Sequence, residues 1–213
     1  HEQGYAVFSL RYRIGWEAGD DAPLEDLARA IRFVMDNADH LRRLHEDYAL
    51  LGYSSGGQLA GVFGNEEKGW GRYGVPKPGV LLLAYPINNF FEAKPAYHLL
   101  MDTDRLERRY YSYTVSKLVT PDYPPTFLWY GRNDLMPESL PSTPLQGPTL
   151  AKALEASGVP NRWKFTTTPN MASASAWGRT PRTGWNVLPS SGRAFRNNRR
   201  KRICTTGMKL SAA

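Results

Sequence analysis

The sequence predicts an α/β fold, a mostly parallel sheet with helices on both faces. Two observations predict it. Short apolar, β-prone runs alternate along the chain with segments of helical period. Those runs are apolar at consecutive positions, as in strands covered on both faces. Crossovers between such strands are expected to be right-handed.

Each element has its own signal. Tyr5-Ala6-Val7-Phe8-Ser9-Leu10-Arg11-Tyr12 follows Gly4 and reads as a buried strand. Asp21 and Pro23 mark a helix start. Leu24, Leu27, Ala28, Ile31, Val34 and Met35 then form one apolar stripe. Tyr48–Leu51 is the second strand, and 55–63 a helix rich in Gly and Ala, suited to close packing. Val80–Tyr85 is the third strand, stopped by Pro86. Residues 87–123 are mixed and polar-aromatic, an excursion with one or two helices around 95–118. Thr126–Tyr130 is a fourth strand, Leu150–Ala156 a helix that Gly158 ends, and Arg162–Phe165 a fifth strand.

Charge divides the chain in two. The 213 residues hold 27 Lys and Arg against 20 Asp and Glu, a formal net charge of +7. Residues 167–213 hold 9 of the basic residues and no acid, so residues 1–166 are mildly acidic. The single cysteine, Cys204, lies in the basic segment, so the body has neither a disulfide framework nor a Cys-rich zinc site. The segment is rich in Ser, Thr, Gly, Pro, Asn and Arg without a hydrophobic period, and disorder is expected. Arg199-Arg200-Lys201-Arg202 reads as a solvated charge run, so no specific nucleic acid is expected. No apolar run is long enough for a membrane span.

The chemistry lies between the second strand and the helix after it. Gly52-Tyr53-Ser54-Ser55-Gly56 matches G-x-S-x-G in the strand–turn–helix context that a nucleophile elbow requires. The turn forces the serine into strained backbone, and flanking glycines admit neighbouring backbone. Ser54 Oγ would stand at the sheet's C-terminal edge, with the Ser55 backbone N–H facing a developing oxyanion. A serine nucleophile needs a base and an orienting acid, in the order Ser, acid, His. Asp134, just past the strand 126–130, suits the acid, and Glu138 is a weaker substitute.

On these stretches the body resembles an α/β-hydrolase of the bacterial esterase/lipase group that includes acetyl esterases and acetylxylan esterases. GYAVFSLRYR, PLEDLARAIRFVMDNA, YALLGYSSGGQLAG, VLLLAYPI, VTPDYPPTFLWYGRNDLMP and LAKALEASGVPNRWKF carry the resemblance over most of residues 3–166. It implies Ser54 as nucleophile, Asp134 as acid, and hydrolysis of small acyl esters, acetylated carbohydrates among them, with no cofactor and no metal. Tyr53, Tyr85, Phe90 and Tyr110, with Phe91 and Tyr111 beside them, are candidate pocket walls.

Two departures qualify the expected activity. The group carries an H-G-G-G-type oxyanion loop upstream of the strand that begins here at Tyr5, so residues 1–166 read as an incomplete α/β-hydrolase domain with its first strands missing. Its catalytic His should follow the strand ending near Phe165, but His1, His40, His45 and His98 all precede Asp134. Read one nucleotide earlier, the codons after Phe165 permit Tyr-Tyr-Pro-Glu-His-Gly-Phe-Gly, with a forced Gly at the Met171/Ala172 junction. Residues 167–213 are therefore read as an out-of-frame tail, and little or no esterase activity is expected of the chain as it stands. A non-catalytic binding protein with a nucleic-acid-binding tail and a serine peptidase fragment stay open as alternatives. Cytoplasmic placement is slightly favoured, and any leader would lie upstream.

Overall fold

The computed structural model describes residues 6–14, 19–41, 48–88, 112–131 and 143–166. Four strands form one parallel sheet in sequential order: β1 (Ala49–Tyr53), β2 (Val80–Ala84), β3 (Thr126–Gly131) and β4 (Asn161–Thr166). The register places Gly52 beside Leu83 and Tyr53 beside Ala84, while Leu83 and Ala84 pair with Leu128 and Trp129. All four C-terminal strand ends therefore point toward one edge of the sheet, where open α/β sheets place their ligands.

The helices are α1 (Ala22–Asp36), α2 (Ser55–Phe63) and α3 (Thr143–Ala156), with a short 3₁₀ turn at Val115–Lys117. Pro23 opens α1 as the sequence expects, its preset φ suiting the first turn. Asp21 occupies the N-cap position but does not cap with its side chain. Its carboxylate instead accepts from the Tyr113 hydroxyl at 2.6 Å and from Arg72 at 2.8 Å, groups distant in sequence. Gly158 ends α3 in the left-handed region, with its N–H on Glu155 and the Val159 N–H on Leu154.

The double-faced burial read from the strands is present. One face joins Leu50, Leu81, Leu83 and Leu128 to Leu24, Leu27 and Ile31 of α1, to Leu59 and Phe63 of α2, and to Leu150 and Leu154 of α3. The other face buries Leu82, Ala84, Phe127 and Trp129. Odd and even strand positions thus supply the two faces, as the two-residue period of a strand requires.

Two elements differ from the sequence reading. Residues 6–14 form neither strand nor helix, and the four-stranded sheet does not include them. β-propensity describes what a strand can be made of, whereas a ladder partner decides whether one forms. The segment is tied down by side chains instead. The Arg13 backbone N–H reaches Asp26 at 2.9 Å, its Nε reaches the same carboxylate at 2.9 Å, and its terminal nitrogen reaches Glu25 at 3.1 Å. The second difference is that α3 begins at Thr143, two turns before Leu150, and carries Pro148 inside it. Glycine and proline are poor in a helix interior, but Gly147 lies where a Cβ would come within 2.6 Å of the Tyr130 ring. Packing of the helix on β3 therefore sets that residue and overrides propensity. The helices expected around 95–118 and the segment 167–213 lie largely or wholly outside the described residues.

Candidate active site

β1 ends at Tyr53 and α2 begins at Ser55, leaving Ser54 alone to turn the chain. Its φ of 52° and ψ of −119° lie where a side chain is strained. Three backbone bonds hold it there. The Ser54 N–H donates to Ala84 at 3.0 Å, closing the last β1–β2 pair, Tyr53 with Ala84. The Ser54 carbonyl accepts from Gln58 at 3.0 Å, the first bond of α2, and from Ile87 at 3.3 Å.

The glycines around the turn divide their work differently from the sequence reading. A Cβ at Gly52 would sit 2.2 Å from the Gly56 carbonyl oxygen, so Gly52 is required by close approach. A Cβ at Gly56 would meet only the Tyr12 hydroxyl, at 3.9 Å. The second required glycine is Gly57, whose Cβ would lie 2.9 Å from Pro86. The loop after β2 thus packs directly against the first turn of α2.

That loop carries a second strained residue. Tyr85 has φ 35°, and its N–H donates to Trp129 at 2.7 Å. The Tyr130 hydroxyl donates to the Pro86 carbonyl at 2.8 Å. Fully buried Asn88 fixes the far end of the loop: its N–H reaches Gln146 at 2.6 Å, and its side-chain oxygen accepts from Ser116 at 2.8 Å. Tyr53 lies 6.2 Å from Tyr85 and 6.3 Å from Trp129, ring to ring, the latter edge-on. Burial raises the Tyr53 hydroxyl above its ordinary pKa, so it is a neutral donor at physiological pH.

Ser54, Ser55, Tyr53 and Tyr85 therefore gather where β1 and β2 end. Asp134, Phe90, Tyr110, Phe91, Tyr111, Glu138 and the histidines 1, 45 and 98 lie outside the described residues. His40 is exposed in the turn after α1. Among the described residues no group of three or more His, Cys, Asp or Glu side chains is placed to hold a metal ion, and no helix is long and apolar enough to cross a membrane.

One contact at the turn was not legible in the sequence. The side chain of Tyr12, from the irregular segment 6–14, is hydrogen bonded to that of Ser55. Burial raises the Tyr12 hydroxyl pKa, and the bond to Ser55 partly offsets this.

A parallel sheet entered by a strained serine turn, with helices crossing between its strands, is the α/β-hydrolase fold, and solved structures bear this out. More particularly, residues 1–70, which include the whole serine turn, match the BD-FAE family model. The carboxylesterase Cest-2923 from Lactobacillus plantarum is similar at 21% identity and a TM-score of 0.58, over 73% of this chain and 56% of that one. An acetyl ester-xyloside bifunctional hydrolase from Caldicellulosiruptor lactoaceticus is similar at 24% identity and 0.59, over 78% of this chain and 64% of that one. A sugar hydrolase from Lactococcus lactis is similar at 25% identity and 0.58, over 75% of this chain and 59% of that one. The chain thus spans less than two thirds of the length of each. No curated protein matches it.

Proposed function

We propose that the protein is a serine carboxylic ester hydrolase acting on small acyl esters, acetylated carbohydrates among them. The observation that carries the reading is the backbone of Ser54, held at φ 52° between the end of β1 and the start of α2. Strain of this kind, about 1–3 kcal/mol, persists where the surrounding structure imposes it and clusters at reactive sites. Ser54 Oγ would attack the acyl carbonyl while its proton passes to a base. The carbonyl oxygen would take up negative charge in front of the Ser55 N–H, at the positive end of α2. Collapse of the tetrahedral adduct would expel the alcohol, and water would then release the acid. Asp134 is assigned to orient the imidazole that serves as base. The names of two similar structures, an acetyl ester-xyloside hydrolase and a sugar hydrolase, support a carbohydrate ester.

No histidine follows Asp134 in the 213 residues. The chain by itself is therefore expected to turn over esters slowly or not at all, and added imidazole should supply the missing base. The test is acylation by p-nitrophenyl acetate in the presence of imidazole, read by intact mass. One acetyl group should appear on Ser54 and be absent from Ser54→Ala. Equal acetylation of both chains would sink the proposal. Robust turnover without imidazole, abolished by Ser54→Ala, would overturn the assignment of the missing base.

A further inference from the structure

The geometry points to Tyr12 as a positioning residue for the serine turn, one that holds Ser55 through its hydroxyl and so fixes the aim of the Ser55 backbone N–H. This deepens the reading of Ser54 as a nucleophile and rests on it.

Segment 6–14 has no place in the sheet, so nothing in a backbone ladder sets the position of its side chains. The neighbouring residue does so instead. Arg13 grips Asp26 through its backbone N–H at 2.9 Å and its guanidinium at 2.9 Å, and reaches Glu25 at 3.1 Å. Both acids are in the first turns of α1, whose buried stripe packs in the same core as α2. Tyr12 itself packs against that core, and its hydroxyl lies at the first turn of α2, 3.9 Å from where a Cβ on Gly56 would stand and hydrogen bonded to the Ser55 side chain. An ion pair on the surface of one helix thus places a half-buried tyrosine beside the first residue of another.

Ser55 is the residue through which this would act on the chemistry. Its peptide N–H belongs to the plane set by the strained Ser54 ψ of −119°. The turn is braced on the β2 side by the Ser54 N–H, which donates to Ala84, and by the Ile87 N–H, which donates to the Ser54 carbonyl. Tyr12 braces it from the α1 side. Removing an oxyanion donor outright costs about 10²–10³ in rate, and a displacement of about 1 Å can cost as much as 10²-fold. Loosening the donor's aim should cost part of that, about 10-fold.

The experiment uses the full 213-residue chain, imidazole and an alkyl fluorophosphonate, and follows the adduct by intact mass. In this reaction the Ser54 Oγ–phosphorus bond forms, the phosphorus–fluorine bond breaks, fluoride leaves, and imidazole takes the serine proton. Tyr12→Phe keeps the ring and removes the hydroxyl. Its maximal rate of phosphonylation should fall about 10-fold while the half-saturating reagent concentration is unchanged. Ser55→Ala should fall similarly. The double variant should fall no further than either single one, because both remove the same bond. A Tyr12→Phe rate equal to that of the unsubstituted chain overturns the inference and leaves the nucleophile standing. So does a double variant whose loss is the product of the two single losses. Absence of any Ser54 adduct on the unsubstituted chain overturns both readings together.

Discussion

Alanine at position 52 would place a methyl group where the backbone of the next turn already lies. The added Cβ would be 2.2 Å from the Gly56 carbonyl oxygen, 2.5 Å from its carbon and 2.7 Å from the Gly57 Cα. None of these atoms can rotate away. To restore a contact of about 3 Å, the first turn of α2 must move off β1 by nearly 1 Å. That motion stretches the bonds that hold Ser54, from its N–H to Ala84 and from Gln58 to its carbonyl, both 3.0 Å. Overpacking of this kind costs about 1–3 kcal/mol, and each weakened bond adds about 1 kcal/mol, so Gly52→Ala should lose about 3–5 kcal/mol. The assay is urea denaturation followed by tryptophan fluorescence. Gly74→Ala is the internal comparison. Gly74 has φ +61° with nothing within 4 Å of an added Cβ, so it should lose only the left-handed strain of about 1–2 kcal/mol. A Gly52→Ala loss no larger than that of Gly74→Ala would show that contact with the Gly56 carbonyl does not hold position 52 to glycine.

Two further predictions concern the body of the fold. Leu128 has no exposed surface in the core, so Leu128→Ala should cost about 2–5 kcal/mol, whereas Phe33→Ala on the exposed side of α1 should stay within about 0.5 kcal/mol. Similar midpoint shifts for the two variants would contradict the assignment of that core. On the alkaline side, burial pushes the Tyr113 and Tyr123 hydroxyls well above their ordinary range, with the bond to Asp21 adding to the rise at Tyr113. Above about pH 10 the unfolded chain releases protons that the folded chain keeps, so stability should fall as pH rises from there. Tyr123→Phe should flatten that slope, and a urea midpoint that does not change between about pH 8 and about pH 11 would count against it.

The legible part of the molecule was local. Pro23 at the head of α1, the apolar runs of β1 to β3, Gly158 at the end of α3 and the serine turn all announce themselves within a few residues. What was not legible depends on partners distant in sequence. Asp21 stands at an N-cap position, yet its carboxylate serves Tyr113 and Arg72, 92 and 51 residues away. Tyr12 sits in a run that reads as strand, and nothing near it points to Ser55. The one available signal was Arg13 followed by the adjacent acids Glu25 and Asp26, and a charge pair 12 or 13 residues apart has no period to reveal it. Of the two glycines that frame the motif, only Gly52 is sterically required, and Gly57, outside the pattern, is the other. The pattern records the turn, while packing of the loop after β2 adds its own demand.

The left-handed backbone at Ser54 bears on how this chain would drift over generations. Position 54 asks for glycine: the mutation that relieves its conformation is also the one that deletes its hydroxyl. Selection for a sturdier fold alone would therefore erase the serine, and on the reading proposed here would do so without disturbing the architecture around it. A serine kept in such a conformation is held there against the preference of its own main chain.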